Sequence, residues 1–149
     1  MITRTEFFAA TVTVLGLAVI SPWTAASEPR WTLATDDTVL TLGLDQQGRL
    51  AIFELKHARD GGNWTGTPSV FPLLDHAEVG GQSIALKWTF RNAETDNSNG
   101  TRLTLRFTTD APELELKSQW WARPGRGPIR HAAFLTNHSG GGATSTTSN

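Results

Sequence analysis

The chain has 149 residues, 13 basic and 14 acidic side chains, a formal charge of −1 and no cysteine. That length favours one domain over two, and the near balance of charge gives no electrostatic reason to bind nucleic acid or an anionic membrane. Without cysteine there is no disulfide, thiol nucleophile or thiolate metal site, while a hydrophobic fraction of 38% still supplies a core.

Residues 1–26 read as a secretory signal peptide. Arg4 gives a basic start, Phe7 to Ile20 carries no charge, Pro22 ends the run, and Thr24, Ala25, Ala26 and Ser27 offer a small-residue exit. The apolar run falls short of the roughly 20 residues of a membrane span. Membrane attachment is therefore expected only through an uncleaved signal. The expected location is secreted or periplasmic, where disulfides form but are not required.

Residues 27–136 read as one β-domain. Leu40, Leu42 and Leu44 alternate with Val39, Thr41 and Gly43, and Asp45-Gln46-Gln47-Gly48 follows as a turn. Leu50 to Leu55 is apolar on both faces, as in a central strand. Lys56 to Gly81 reads as one long irregular excursion with a short strand at Ser69–Leu74, and loops of that length are often functional. Ile84, Leu86, Trp88 and Phe90 share one face of the next strand. Asp96 to Gly100 ends in Asn-Gly, a strong hairpin signal, before Leu103, Leu105 and Phe107. After Asp110-Ala111-Pro112, Leu114, Leu116 and Trp120 oppose Glu113, Glu115, Lys117 and Gln119. Ile129 to Leu135 is again apolar on both faces and reads as central.

Period-two alternation of this kind marks half-buried strands, because successive side chains point to opposite faces. Closely spaced strands joined by such turns predict an all-β fold, an antiparallel β-sandwich. No helical period of useful length follows residue 30. Residues 137–149 (NHSGGGATSTTSN) form a polar, low-complexity tail expected to be disordered.

Catalytic signatures are sparse. There is no Gly-x-Ser-x-Gly elbow, and Gly140-Gly141-Gly142 lacks the lysine of a phosphate loop. His57, His76, His131 and His138 lack ligand spacing, so no metal or other cofactor is expected. Asp75 and His76 are adjacent and would point apart on an extended chain. Glu113 and Glu115 sit ~6.6 Å apart along a strand, which touches the separation of about 6.5–9.5 Å used by inverting glycosidases. Lys117 and Gln119 continue that face, so a solvated surface is the simpler reading. His131 is expected as a hydrogen-bonded core histidine.

The tryptophans carry more. Trp88 and Trp120 fall in apolar registers and are expected in the core. Trp121 must face the opposite way from Trp120, either covered or displayed as a platform. Trp64 lies in Gly61-Gly62-Asn63-Trp64-Thr65-Gly66. It is either a lid folded on the sandwich or a sugar-stacking ring, since indole joins an apolar face to an N–H donor. Asn63, Asn99 and Asn137 also begin Asn-x-Ser/Thr triplets, an acceptor pattern for glycosylation.

The runs Trp31-Thr32-Leu33, Asp37-Thr38-Val39-Leu40, Gly48-Arg49-Leu50, Glu54-Leu55 and Gly62-Asn63-Trp64, with Trp120-Trp121-Ala122-Arg123-Pro124-Gly125 and Gly127-Pro128-Ile129-Arg130-His131, give a resemblance. Over residues 30–138 the chain resembles the N-terminal β-sandwich of bacterial α-galactosidase-like glycoside hydrolases (family 36 and its relatives). The resemblance implies a supersandwich, a carbohydrate context and export. It places the catalytic aspartates of that family in a following barrel, which this chain lacks, so no catalytic residue carries over. It implies that Trp64, in Gly62-Asn63-Trp64, borders a sugar site; Asn63 beside it and, from the strand reading, Trp121 are further substrate-binding candidates. The polar tail departs from the family pattern and suggests a truncated product. Three functions therefore stand: the non-catalytic sandwich of such a hydrolase, a stand-alone secreted carbohydrate-binding module, or an envelope domain without a ligand.

Overall fold

A computed structural model describes residues 28–139 and 147–148; the expected signal peptide, residues 140–146 and Asn149 lie outside the described residues. Two antiparallel sheets face each other. The first holds β1 (Arg30–Ala34), β2 (Thr38–Leu44), β3 (Leu50–His57) and β4 (Ser69–Val70) in that spatial order. The second runs β11 (Thr147–Ser148), β10 (Arg130–Asn137), β9 (Glu113–Ala122), β8 (Thr101–Asp110) and β7 (Thr89–Asp96). Between β4 and β7 the chain makes a separate hairpin of β5 (His76–Val79) and β6 (Gln82–Ala85). Among the described residues there is no helix. The expected all-β sandwich is the fold.

The core follows from the alternation. In β9 each even-numbered residue from Leu114 to Ala122 is buried and each odd one points outward. Leu103, Leu105, Phe107, Leu116, Trp120 and Ala122 meet Leu33, Leu40, Leu42, Leu44 and Leu50 of the first sheet. Burying each Leu or Phe contributes about 1.5–3 kcal/mol, which makes this interface the main source of stability. At one end the β1–β2 turn is tied to the β9–β10 loop: Asp36 N donates to Gly125 O (2.9 Å) and Gly127 N donates to the Asp37 carboxylate (3.3 Å). Hydrogen bonds from the Thr35 hydroxyl, then from Gly127 N–H, hold the Asp37 carboxyl below the usual carboxylate range.

Several expectations shift. The alternating run Ile84 to Phe90 is not one strand. It is cut into β6 and β7, because Leu86 N donates to Asp75 O and the Trp88 indole N–H donates to Leu74 O, turning the chain from the hairpin into the sheet. The excursion 56–81 contains β4, shorter than expected, and also β5. Its Gly80-Gly81 turn has φ of 58° and 78°, the left-handed geometry that suits glycine in a tight hairpin. β10 is not central: β11 covers it only at Ala133 and Phe134, and half-buried residues alternate with exposed ones from Ala133 onward. Its outer-face Phe134 owes its place to the Lys117 ammonium, 4.7 Å from the ring centroid, rather than to burial. Asn137 is the last residue of β10, His138 N donates to Glu113 O, and Ser139 Oγ accepts from Glu113 N.

Candidate functional site

The loop after β3 presents Trp64. Asn63 is its anchor. The Asn63 Oδ1 accepts from Leu55 N (3.2 Å), Thr65 N (3.1 Å) and the Thr65 hydroxyl (2.8 Å), and its amide N–H reaches Phe53 O (3.5 Å). Trp64 N donates to Leu55 O at 2.7 Å. The loop thus adds a rung to the β3 edge beyond the point where β4 stops, through an Asn side chain acting as a local backbone partner. Trp64 is 61% exposed. Asn63 therefore holds the loop, and Trp64 stands out as an exposed ring.

Trp121 lies elsewhere. It sits on the outer face of the second sheet, in the expected company of Glu113, Glu115, Lys117 and Gln119. Its indole N–H donates to Asn99 O (3.1 Å), and the guanidinium carbons of Arg123 and Arg102 lie 4.1 Å and 4.9 Å from the ring centroid. The sheet that carries it separates it from the first sheet, so Trp64 and Trp121 do not build one site. The arginines were missed. The alternation places Arg123 on the face of Trp121, but Arg102 needs the strand register, which a single sequence does not reveal.

A third place lies behind the strap Phe71–Asp75, which leaves β4 and crosses the open side of the sandwich. On one flank, a cavity of about 380 Å³ is bounded by Leu50, Leu73, Leu86, Trp88 and Phe107. On the other, a cavity of about 350 Å³ is bounded by Phe71, Leu74, Leu116, Ser118, His131 and Leu135. Val70 and Leu74 are exposed beside them. In the second cavity the Trp120 indole N–H donates to Ser118 Oγ (3.0 Å), and Ser118 Oγ lies 3.0 Å from His131 Nε2. His131 stacks on Trp120 with centroids 4.2 Å apart, and Phe71 meets both rings edge-on. Desolvation pushes the His131 pKa down, which favours a neutral ring that accepts the Ser118 proton at Nε2. The expected hydrogen bond of His131 is present, but the residue is exposed, so it is a wall of the cavity rather than a core residue. Ser118 is buried and already accepts from the Trp120 N–H, which makes it a packing hydroxyl rather than a poised nucleophile.

The remaining polar pairs are solvated. Asp75 and His76 do meet, at 3.0 Å, against the expectation that they point apart; Asp75 precedes β5 and is not held in the strand geometry. Both are well exposed, and the hydrogen bond from His76 lowers the Asp75 pKa. Glu115 pairs with Arg106 at 2.9 Å on the outer face, in keeping with a solvated strand surface there. Among the described residues no group of three or more His, Asp or Glu side chains converges as a metal site, and no helix is long and apolar enough to cross a membrane. Compared with protein-family profiles, curated proteins and solved structures, the chain matches none.

Proposed function

We propose that this chain is an exported, non-catalytic β-sandwich that serves a carbohydrate-active protein, of the kind found at the N-terminus of α-galactosidase-like glycoside hydrolases. The observation that carries the reading is Trp64: a tryptophan 61% exposed on a loop whose backbone is fixed by Asn63. An indole displayed from a fixed backbone can stack on the apolar face of a pyranose with only its own side-chain torsions left to order. The apolar cavities beside the strap, with Val70 and Leu74 exposed, favour a sandwich that docks on a further domain over a closed stand-alone module.

The affinity expected of one ring is low. At about −0.3 kcal/mol per non-hydrogen atom, a hexose of about twelve such atoms gives a Kd near the millimolar range. Titrating the purified chain with galactosides and galactosyl oligosaccharides, followed by tryptophan fluorescence, tests it. Saturable quenching in the parent and its loss in Trp64→Ala are expected. A flat response across the panel in the parent, or quenching unchanged in Trp64→Ala, would remove the platform from the account.

A further inference from the structure

We infer a second ligand site, on the outer face of the second sheet, that binds the carboxylate of an acidic glycan. Cross-strand register sets Asp96, Arg102, Trp121 and Arg130 in one row over β7, β8, β9 and β10. Arg123, just past β9, lies over the same indole as Arg102. Arg102, Arg123 and Arg130 are all exposed, and none of the three makes an ion pair among the described residues. This differs from Arg106 on the same face, which is shared between Glu115 (2.9 Å) and Glu94 (3.6 Å).

The stacking is what makes the row a site rather than a charged surface. The guanidinium carbons of Arg123 and Arg102 lie 4.1 Å and 4.9 Å from the indole centre, and among the described residues no side-chain hydrogen bond engages their N–H donors, which leaves those donors for a planar anion. The indole in turn is pinned by its own hydrogen bond to Asn99 O. Two arginines are therefore held before the ligand arrives, which lowers the entropy lost on binding.

Charge and surroundings select the ligand class. Asp96, bound to Ser98 N at 2.9 Å, closes one end of the row; Glu94 stands in the next row on the same strand, and Glu115 lies further along the same face on β9. The basic zone is thus one or two anions wide, too short and too bounded for the continuous phosphate track of a nucleic acid. The adjacent row holds Glu94, the buried Thr104 and Gln119, whose amide donates to the Thr104 hydroxyl at 3.2 Å, and the loop adds Asn97 and Asn99 as exposed neutral hydrogen-bonding groups. Sparse carboxylates among many hydroxyls are the chemistry of a uronate-containing oligosaccharide. The site is distinct from Trp64, and it rests on the carbohydrate reading above only for the choice of a sugar as the bearer of the anion.

The test is calorimetric titration of the chain, at low ionic strength, with trigalacturonate, with neutral galactotriose and with a short single-stranded DNA. Trigalacturonate binding is expected, weakened about tenfold or more in Arg123→Gln and in Arg102→Gln, the loss of one charge-assisted contact. Arg123→Lys should resemble Arg123→Gln, because the fork and not the charge alone is required. Arg130→Gln, which leaves the indole stack intact, gives a reading even if a stack variant loses its fold. Trp64→Ala should leave trigalacturonate binding intact, so a failure of the Trp64 platform shows in galactotriose alone. Arg130→Gln is expected to weaken binding as well; no trigalacturonate binding by the parent, parent-like binding by the arginine variants, or tighter binding of the DNA would overturn the proposal.

Discussion

Gly100 supports both the fold and the Trp121 row, and replacing it with alanine isolates how. Its φ is +82°, a left-handed conformation that costs an L-residue roughly 1–2 kcal/mol. An alanine Cβ there would also overlap the backbone oxygen of Ala122 and come within 2.9 Å of Pro124 Cδ and 3.0 Å of Arg123 Cα. Those atoms belong to the end of β9 and the start of its loop, paired with β8 at Thr101, so they cannot swing aside as a side-chain tip would. Overpacking of this kind adds about 1–3 kcal/mol. Gly80 is the control: its φ is +58°, yet nothing lies within 4 Å of the added Cβ. The stiffening of the unfolded chain offsets about 0.4–1 kcal/mol in both variants and cancels in their difference. At about 4 °C per kcal/mol for a domain of this size, Gly100→Ala should melt roughly 4–12 °C below Gly80→Ala by thermal circular dichroism. Equal melting temperatures would show that the β7–β8 loop is not clamped against the end of β9.

Three further outcomes follow from the same geometry. His131 has its pKa depressed in the fold, so the folded state binds fewer protons than the unfolded chain as pH falls below the ordinary histidine value of about 6.5. Its contribution is complete above that value and is lost toward acid; melting temperature should drop from pH 7 to pH 5, and His131→Gln should flatten that slope, whereas an unchanged slope would exonerate the Ser118–His131 pair. Leu105, fully buried between the sheets, should cost about 2–5 kcal/mol on truncation to alanine in a urea titration, and a loss below about 1 kcal/mol would mean that the interface is not the stabilising core. Asn63→Ala removes the acceptor for two backbone N–H groups and one hydroxyl, so limited proteolysis should cut near Trp64 faster while global melting moves little; equal cleavage rates would mean the loop is held by Trp64 N alone.

The strand pattern was legible where the two faces of a strand meet different surroundings. Leu114, Leu116 and Trp120 against Glu113, Glu115 and Lys117 is such a case, and β9 alternates throughout. Alternation reports phase but not where a ladder stops, and so Ile84 to Phe90 read as one strand although Asp75 and Leu74 carbonyls draw its middle away. Apolar character also misled at β10, because Phe134 is screened by an ammonium group rather than by the core. The missed hairpin was within reach, since Gly80-Gly81 separates two short runs of equal length. Trp64 was recognisable from its polar, glycine-flanked loop. The role of Asn63 turns on three short-range hydrogen bonds to one oxygen, which depend on how the loop folds back on Leu55, and Arg102 reaches Trp121 only through the β8–β9 register between positions far apart in the chain.

Among the described residues the β5–β6 hairpin approaches no other strand, and its Gly80-Gly81 tip has open space around both residues. That tip is a ready graft point. A tag or fluorophore-bearing loop spliced between the two glycines would ride on the side of the molecule without entering either sheet. Immobilised through that handle, the protein would keep both the indole at the β3 edge and the arginine row exposed to the titrants of the two binding tests.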